Sequence, residues 1–304
     1  MITQSSIKRY QDCEYKFKLR YVDLYREDKE SEALVLGSLV HLGLEAFLLG
    51  KPLEVALEEI ERSANTYLLC DKDPSIIDKS CIFVEGYYKR YAELHAERYE
   101  TVSVEQEFTM EFGPNTIGGK FDGVLRDKKT GEVILIEHKT CGDWTSKDAM
   151  GTYWQQRQNA FDTQLVIYQE ALRRDMGLPW EKPPRIIYDV IYKDKTQMKD
   201  LSKMHKFYTD DSMMHRFSYT RQDIVYTPAD RQRALSEYDT LATRIQDRMQ
   251  DGQWIRNTNA CRKGWGMCEF FKVCQGMDDL ETADNLVKLE AAHPELPQLM
   301  EEKK

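Results

Sequence analysis

No apolar run in this chain of 304 residues approaches the roughly 20 residues needed to cross a bilayer, which sets aside a membrane-spanning helix. The opening Met1-Ile2-Thr3-Gln4-Ser5-Ser6 lacks the apolar stretch of a signal peptide. The cytoplasm is therefore the expected compartment, and there the seven cysteines suit metal ligation or free thiols better than disulfides. Positive charge is in deficit, with 43 Lys and Arg against 52 Asp and Glu and a net charge of −9. That balance governs solubility and steering, while a local basic patch can still hold phosphate. Such patches occur in residues 1–20, with five basic residues against two acids, and in 254–276, with four against one. A nucleic-acid partner is neither required nor excluded by charge. There is no Gly-x4-Gly-Lys-Ser/Thr run, which excludes a nucleotide-driven motor of that kind. Internal repeats, low-complexity linkers and a clean domain boundary are also lacking.

The pattern that is present runs helical, then mixed, then helical. Helices are predicted over 5–22, 33–49, 53–69 and 76–98; in the second, Leu36, Leu39, Val40, Leu44 and Phe47 form one apolar stripe. Strands are predicted at about 101–112, 117–127 and 132–140, then a helix over 157–176 that ends near Gly177 and Pro179. A strand over 185–193 follows Pro183-Pro184. The polar stretch 194–215, with Lys195, Lys199, Lys203 and Lys206, reads as a loop or irregular insertion. A strand near 216–226 and a helix over 228–250 complete the pattern.

The richest segment lies around the turn Lys128-Lys129-Thr130-Gly131. Gly118-Gly119-Lys120-Phe121-Asp122-Gly123-Val124 precedes it, and Glu132-Val133-Ile134-Leu135-Ile136-Glu137-His138-Lys139 follows. Glycine closing a four-residue loop fits the left-handed position that such hairpins need. Pairing of Asp127 with Glu132 then carries Asp122 opposite Glu137. Directly opposed residues have Cβ atoms about 5 Å apart, so the carboxylates repel unless a cation or a raised pKa intervenes. Lys139 shares their face by strand alternation. A surface salt-bridge cluster would have the same composition. Ile134, Leu135 and Ile136, however, make the strand apolar on both faces, as in the interior of a sheet.

Other residues fall in a fixed order around this hairpin. Gly37 and His41 lie one helical turn apart, where glycine admits a neighbouring backbone and histidine can serve as ligand or as a structural residue. Gln164 and Tyr168 share a helix face in the same way. Cys261, Cys268 and Cys274 are spaced x6 and x5, and Cys13 stands near the other end of the chain. Four thiolates can hold zinc or an iron–sulfur cluster. The absence of two tight Cys-x2–4-Cys pairs argues against zinc. Cys70, Cys81 and Cys141 are left over as packing residues or free thiols.

The order Gly-x-x-x-His, Gly-x-x-Asp, Glu-x-Lys, Gln-x-x-x-Tyr, bracketed by cysteines, resembles the RecB-type branch of the PD-(D/E)xK nuclease superfamily. It is closest to the iron–sulfur members: AddB-type nuclease domains, CRISPR-adaptation exonucleases and phage exonucleases. The likeness runs from Ile2 through Cys274, with Phe121 where the superfamily motif has proline. It implies an α/β (α+β) fold: a restriction-endonuclease-like core of a mixed central sheet flanked by helices. The whole of 1–304 would be one nuclease domain: a helical part at about 1–98, the core at about 99–226, and a C-terminal helix and cysteine region at about 227–290. It further implies Mg²⁺ or Mn²⁺ held by His41, Asp122, Glu137 and the His138 backbone carbonyl. Lys139 would act on the attacking water and the phosphate charge, with Gln164 and Tyr168 lining the site. Cys13, Cys261, Cys268 and Cys274 would carry a 4Fe–4S cluster. Hard oxygen donors suit Mg²⁺ or Mn²⁺, and a divalent ion supplies what phosphodiester hydrolysis requires. The expected activity is that of a DNA exonuclease on ends or single strands, in recombination, repair or phage DNA processing. It would act alone or beside a separate helicase, recombinase or single-strand-binding protein; if phage-encoded, it would act in the bacterial host cytoplasm. The alternative is a catalytically inactive iron–sulfur DNA-binding subunit of a repair or CRISPR-adaptation complex. Tyr10, Tyr15, Lys16, Phe17, Lys18 and Tyr21 could contact a single strand or simply pack the first helix.

Overall fold

The structure, a computed structural model, describes residues 1–28, 30–67, 73–141, 163–194, 196–210, 218–263, 266–297 and 299. The chain divides into two compact units, one of Met1–Glu30, Glu107–Lys120 and Arg231–Lys304, the other of Ser31–Gln106 and Phe121–Asp230.

In the first unit the predicted helix over 5–22 is broken. Helix α1 spans Gln4–Asp12 and α2 spans Glu14–Phe17, continued by a wide π turn over Lys18–Val22. The break is at Cys13, whose backbone is extended at φ −165 and ψ 119. Thr3 opens α1 with a reciprocal capping bond to Ser6, which satisfies two otherwise orphaned amides. Tyr10 and Phe17 are core residues, and Lys16 and Lys18 pair with Glu269 and Asp23. Tyr10 and Phe17 thus pack, the two lysines are ion-paired, and Tyr15 and Tyr21 remain half-buried. A short strand β1 (Tyr25–Glu27) pairs with a strand at Leu286–Lys288, a contact that no local pattern announced.

The second unit holds helices α3 (Glu32–Leu48), α4 (Leu53–Tyr67) and α5 (Ser75–Arg98), close to expectation. The five-stranded sheet has the order β2-β3-β4-β5-β6, with β2 Tyr99–Phe112, β3 Asn115–Asp127, β4 Val133–Cys141, β5 Arg185–Tyr192 and β6 Tyr219–Ile224. Strands β4 and β5 run parallel and the β3–β4 and β5–β6 pairs antiparallel, so the sheet is mixed. Helix α6 (Thr163–Asp175) lies between the parallel strands in sequence, as a crossover connection requires. The predicted residues 157–162 of this helix, Cys70 and the 216–217 end of the last strand lie outside the described residues. On one sheet face Leu125, Ile134, Ile136, Ile187, Ile191 and Tyr219 join a core with α3 and α5. Residues Val133–Ile136 of β4 are all buried, the mark of a strand covered on both sides.

The stretch read as a loop contains helix α7, Leu201–Thr209. Its Asp200 cap accepts the Lys203 amide at 3.1 Å. Met204 and Tyr208, one turn apart, are fully buried. Lys203 and Lys206 lie on its exposed face, Lys199 precedes it in a 3-10 turn, and Lys195 lies outside the described residues.

Candidate active and metal site

Pairing of Gly123–Arg126 with Val133–Ile136 sets the register that carries Asp122 opposite Glu137. Past Gly123 a side chain takes over from the ladder: the His138 amide donates to Asp122 Oδ2 at 2.7 Å. Glu137 is 1% exposed. Its Oε1 accepts from Lys139 Nζ and, at 2.6 Å, from Gln164 Nε2 on α6. Its Oε2 is buried with no hydrogen-bond partner among the described residues. A buried acceptor of this kind is costly unless something else meets it. Burial, then the Asp122 carboxylate, pushes the Glu137 pKa up to about 7, against the opposing pull of Lys139 and His41. Burial disfavours the Lys139 ammonium, yet Glu137 and Asp122 outweigh it and its pKa is raised.

Helix α3 brings in His41. A Cβ on Gly37 would stand 3.5 Å from Thr140 Oγ1, so the helix passes β4 at van der Waals range one turn earlier. His41 Nδ1 then lies 3.7 Å from Asp122 Oδ1. A third donor is Glu105 on β2. One ligand atom each from His41, Glu105 and Asp122 lie within 4.8 Å of one another. Glu105 has φ +50, a left-handed backbone rare for residues other than glycine. Along β2 the inward positions are odd-numbered at Tyr99, Thr101 and Ser103 but even-numbered at Phe108 and Met110. Such a phase change marks a bulge, which re-aims a side chain. Glu105 was missed in the sequence, although Tyr99 and Phe108 on opposite parity signal an interruption between them.

The His138 side chain turns to the other face of the sheet. Its ring is buried, with Nδ1 3.7 Å from Asp189 Oδ2. Asp189 in turn accepts from Tyr87 Oη and from Arg221 Nε and Nη2, the last at 2.7 Å. Burial lowers the His138 pKa to about 3 and keeps the imidazole neutral. Tyr168 packs edge-on against Phe121, the neighbour of Asp122, with ring centroids 5.8 Å apart.

In the first unit, Cys13 Sγ accepts the Asn257 amide at 3.4 Å, and Cys261 Sγ lies 4.0 Å from the Asn257 carbonyl. The Cys268 amide donates to the Cys261 carbonyl at 2.8 Å. Burial raises the Cys274 thiol pKa, assisted by Cys261 and Cys13. The four cysteines are thus brought into one neighbourhood. Cys81 is half-buried and Cys141 buried, both as free thiols.

A family model described as PD-(D/E)XK nuclease superfamily matches residues 1–275. The chain belongs to the PD-(D/E)XK nuclease superfamily. A comparison with curated proteins finds no match. Among solved structures, one from Eubacterium rectale described as "Putative exonuclease" is similar at 16% identity and a TM-score of 0.50, covering 90% of this chain and 92% of that one. At that identity the likeness establishes the fold, a restriction-endonuclease-like mixed sheet flanked by helices. Among the described residues no helix is long and apolar enough to cross a membrane.

Proposed function

We propose that this PD-(D/E)XK nuclease is a Mg²⁺- or Mn²⁺-dependent DNA exonuclease of the RecB-type branch, acting on ends or single strands. The observation that carries the reading is the buried, unpartnered Glu137 Oε2 beside Asp122 and Lys139. The donors fit a hard divalent ion: carboxylates of Asp122, Glu137 and Glu105, the His41 imidazole and the His138 carbonyl. Such an ion, when bound, polarises a phosphoryl oxygen and makes water nucleophilic near neutral pH. Gln164 and Lys139 occupy Glu137 Oε1 and so orient Oε2 as the open donor. The His138 amide fixes Asp122 through Oδ2. Lys139, about a third exposed and held charged by two carboxylates, supplies fixed positive charge for a phosphate that gains negative charge in the transition state. Tyr168 props Phe121 behind Asp122.

Cys13, Cys261, Cys268 and Cys274 form, in this reading, the ligand set of a 4Fe–4S cluster. The lack of two tight Cys-x2–4-Cys pairs in the sequence supports a cluster over zinc. Its role is structural, tying α1 to the region near residue 270.

Incubation with end-labelled single- and double-stranded DNA and Mg²⁺ or Mn²⁺ tests the activity. Degradation is expected, with loss of at least a hundredfold in Lys139→Ala; a variant as fast as wild type rejects the site. Brown protein absorbing near ~400 nm is expected for the cluster, and stoichiometric zinc without iron rejects it.

A further inference from the structure

In the second unit a cavity of about 410 Å³ opens between α5 and the β5–β6 edge of the sheet. Four arginines line it, Arg90, Arg98, Arg185 and Arg221, with one carboxylate, Asp223. Asp127 and Asp189 pair with Arg98 and Arg221 from outside the lining, which leaves the spot positive in a chain of net charge −9. Two periodicities produce it. Arg90, Leu94 and Arg98 recur every fourth residue on α5 and so share one helix face. Arg185 on β5 and Arg221 and Asp223 on β6 project from one sheet face, as alternate residues do.

The guanidinium groups of Arg98, Arg185 and Arg221 are held in place but not used up. Arg185 grips Asp223 through Nε and Nη2, and Arg221 grips Asp189 through the same two atoms. Arg98 Nε reaches Asp127 Oδ2 at 3.0 Å. Those contacts leave Nη1 of Arg185 and both Nη atoms of Arg98 without a hydrogen bond among the described residues. Nη1 of Arg221 is buried and likewise unpartnered. The Tyr91 ring lies under Arg221 at 4.1 Å and near Arg90 at 5.8 Å from its centroid, within cation–π range of both. The carboxylates thus leave open donors on three arginines that line one cavity. Open guanidinium donors of this kind suit an anion with several acceptor oxygens.

We infer that this cavity is an anion site that takes a phosphoryl group. It is separate from the metal site: none of its lining residues is a proposed metal ligand. The group belongs either to a small phosphate compound or to a nucleic-acid backbone.

Calorimetric titration of metal-free protein with pyrophosphate tests the inference, and omission of metal prevents hydrolysis. Saturable binding is expected in wild type, weakened at least tenfold in Arg90→Gln/Arg185→Gln and unchanged in Asp122→Asn. No saturation, equal affinity in the double variant, or loss in Asp122→Asn would each overturn it, the last by moving the anion to the metal site. Displacement of pyrophosphate by a short single-stranded oligonucleotide assigns the group to nucleic acid; undisturbed binding assigns it to a small phosphate compound. Should the double variant not fold, arginine modification by phenylglyoxal on wild type decides. Pyrophosphate should protect Arg98 and Arg185 in peptide mass analysis, and equal labelling with and without it contradicts the site. A nuclease site that fails its own test leaves this result untouched.

Discussion

Glu105 sits in a left-handed conformation that costs a non-glycine residue about 1–2 kcal/mol, and in exchange its carboxylate faces His41 and Asp122. Strain of this kind persists where function holds it. Glu105→Gly is therefore expected to leave metal-free stability unchanged or higher, while Mn²⁺ affinity drops about tenfold or more. Urea midpoints and Mn²⁺ titration measure both; a destabilised variant with full affinity contradicts the assignment. Glu137 gives a pH prediction. Its carboxyl titrates at about 7 in the folded protein against an ordinary 4.5. Between those values the folded state binds more protons than the unfolded, so its stability contribution declines as pH rises through the window. Metal-free wild type should lose stability relative to Glu137→Gln between pH 5 and 7.5. Parallel urea midpoints would contradict the buried carboxyl. The Asp122–Glu137 register and the Lys139 face were legible because a short turn transmits register directly. Glu105 was not, because the opposite parity of Tyr99 and Phe108 signals an interruption without saying which residue between them turns inward.

At the scale of elements, local pattern was a good guide where one face alone is buried and a poor one where burial depends on distant partners. Helix α3 announced itself through its stripe. Helix α7 did not, since its fully buried apolar residues are just Met204 and Tyr208 and four lysines in its neighbourhood dominate the composition. Met204, fully buried, makes the difference measurable. Met204→Ala should cost about 2–5 kcal/mol in urea denaturation, whereas a loop residue would cost almost nothing. Gly86 on α5 is a second case. A Cβ there would stand 2.2 Å from Tyr219 Oη and 2.3 Å from the Tyr208 carbonyl. Gly86→Ala is therefore expected to destabilise, although alanine favours helix. The Asp189–Arg221–Tyr87 network was also invisible, because its members come from β5, β6 and α5 and meet only in three dimensions.

At the scale of the molecule, the order of motifs along the chain was more telling than any one of them. The cysteines illustrate it: their x6 and x5 spacing matches no compact zinc pattern, yet the fold gathers Cys13 with the loop around Asn257. Cys13→Ser should lose iron and the absorption near ~400 nm, with a lower melting temperature, if the cluster ties the chain ends; iron retained in full would contradict that ligand. The PD-(D/E)XK assignment fixes the fold and the chemical class, and the central claim concerns which residues carry it out. The most direct measurement is the cleavage of end-labelled DNA in Mg²⁺ by wild type and Asp122→Ala, with folding confirmed by circular dichroism. Degradation by wild type and none by the folded variant is the predicted result. Equal degradation by both would contradict the site built on Asp122, Glu137 and Lys139.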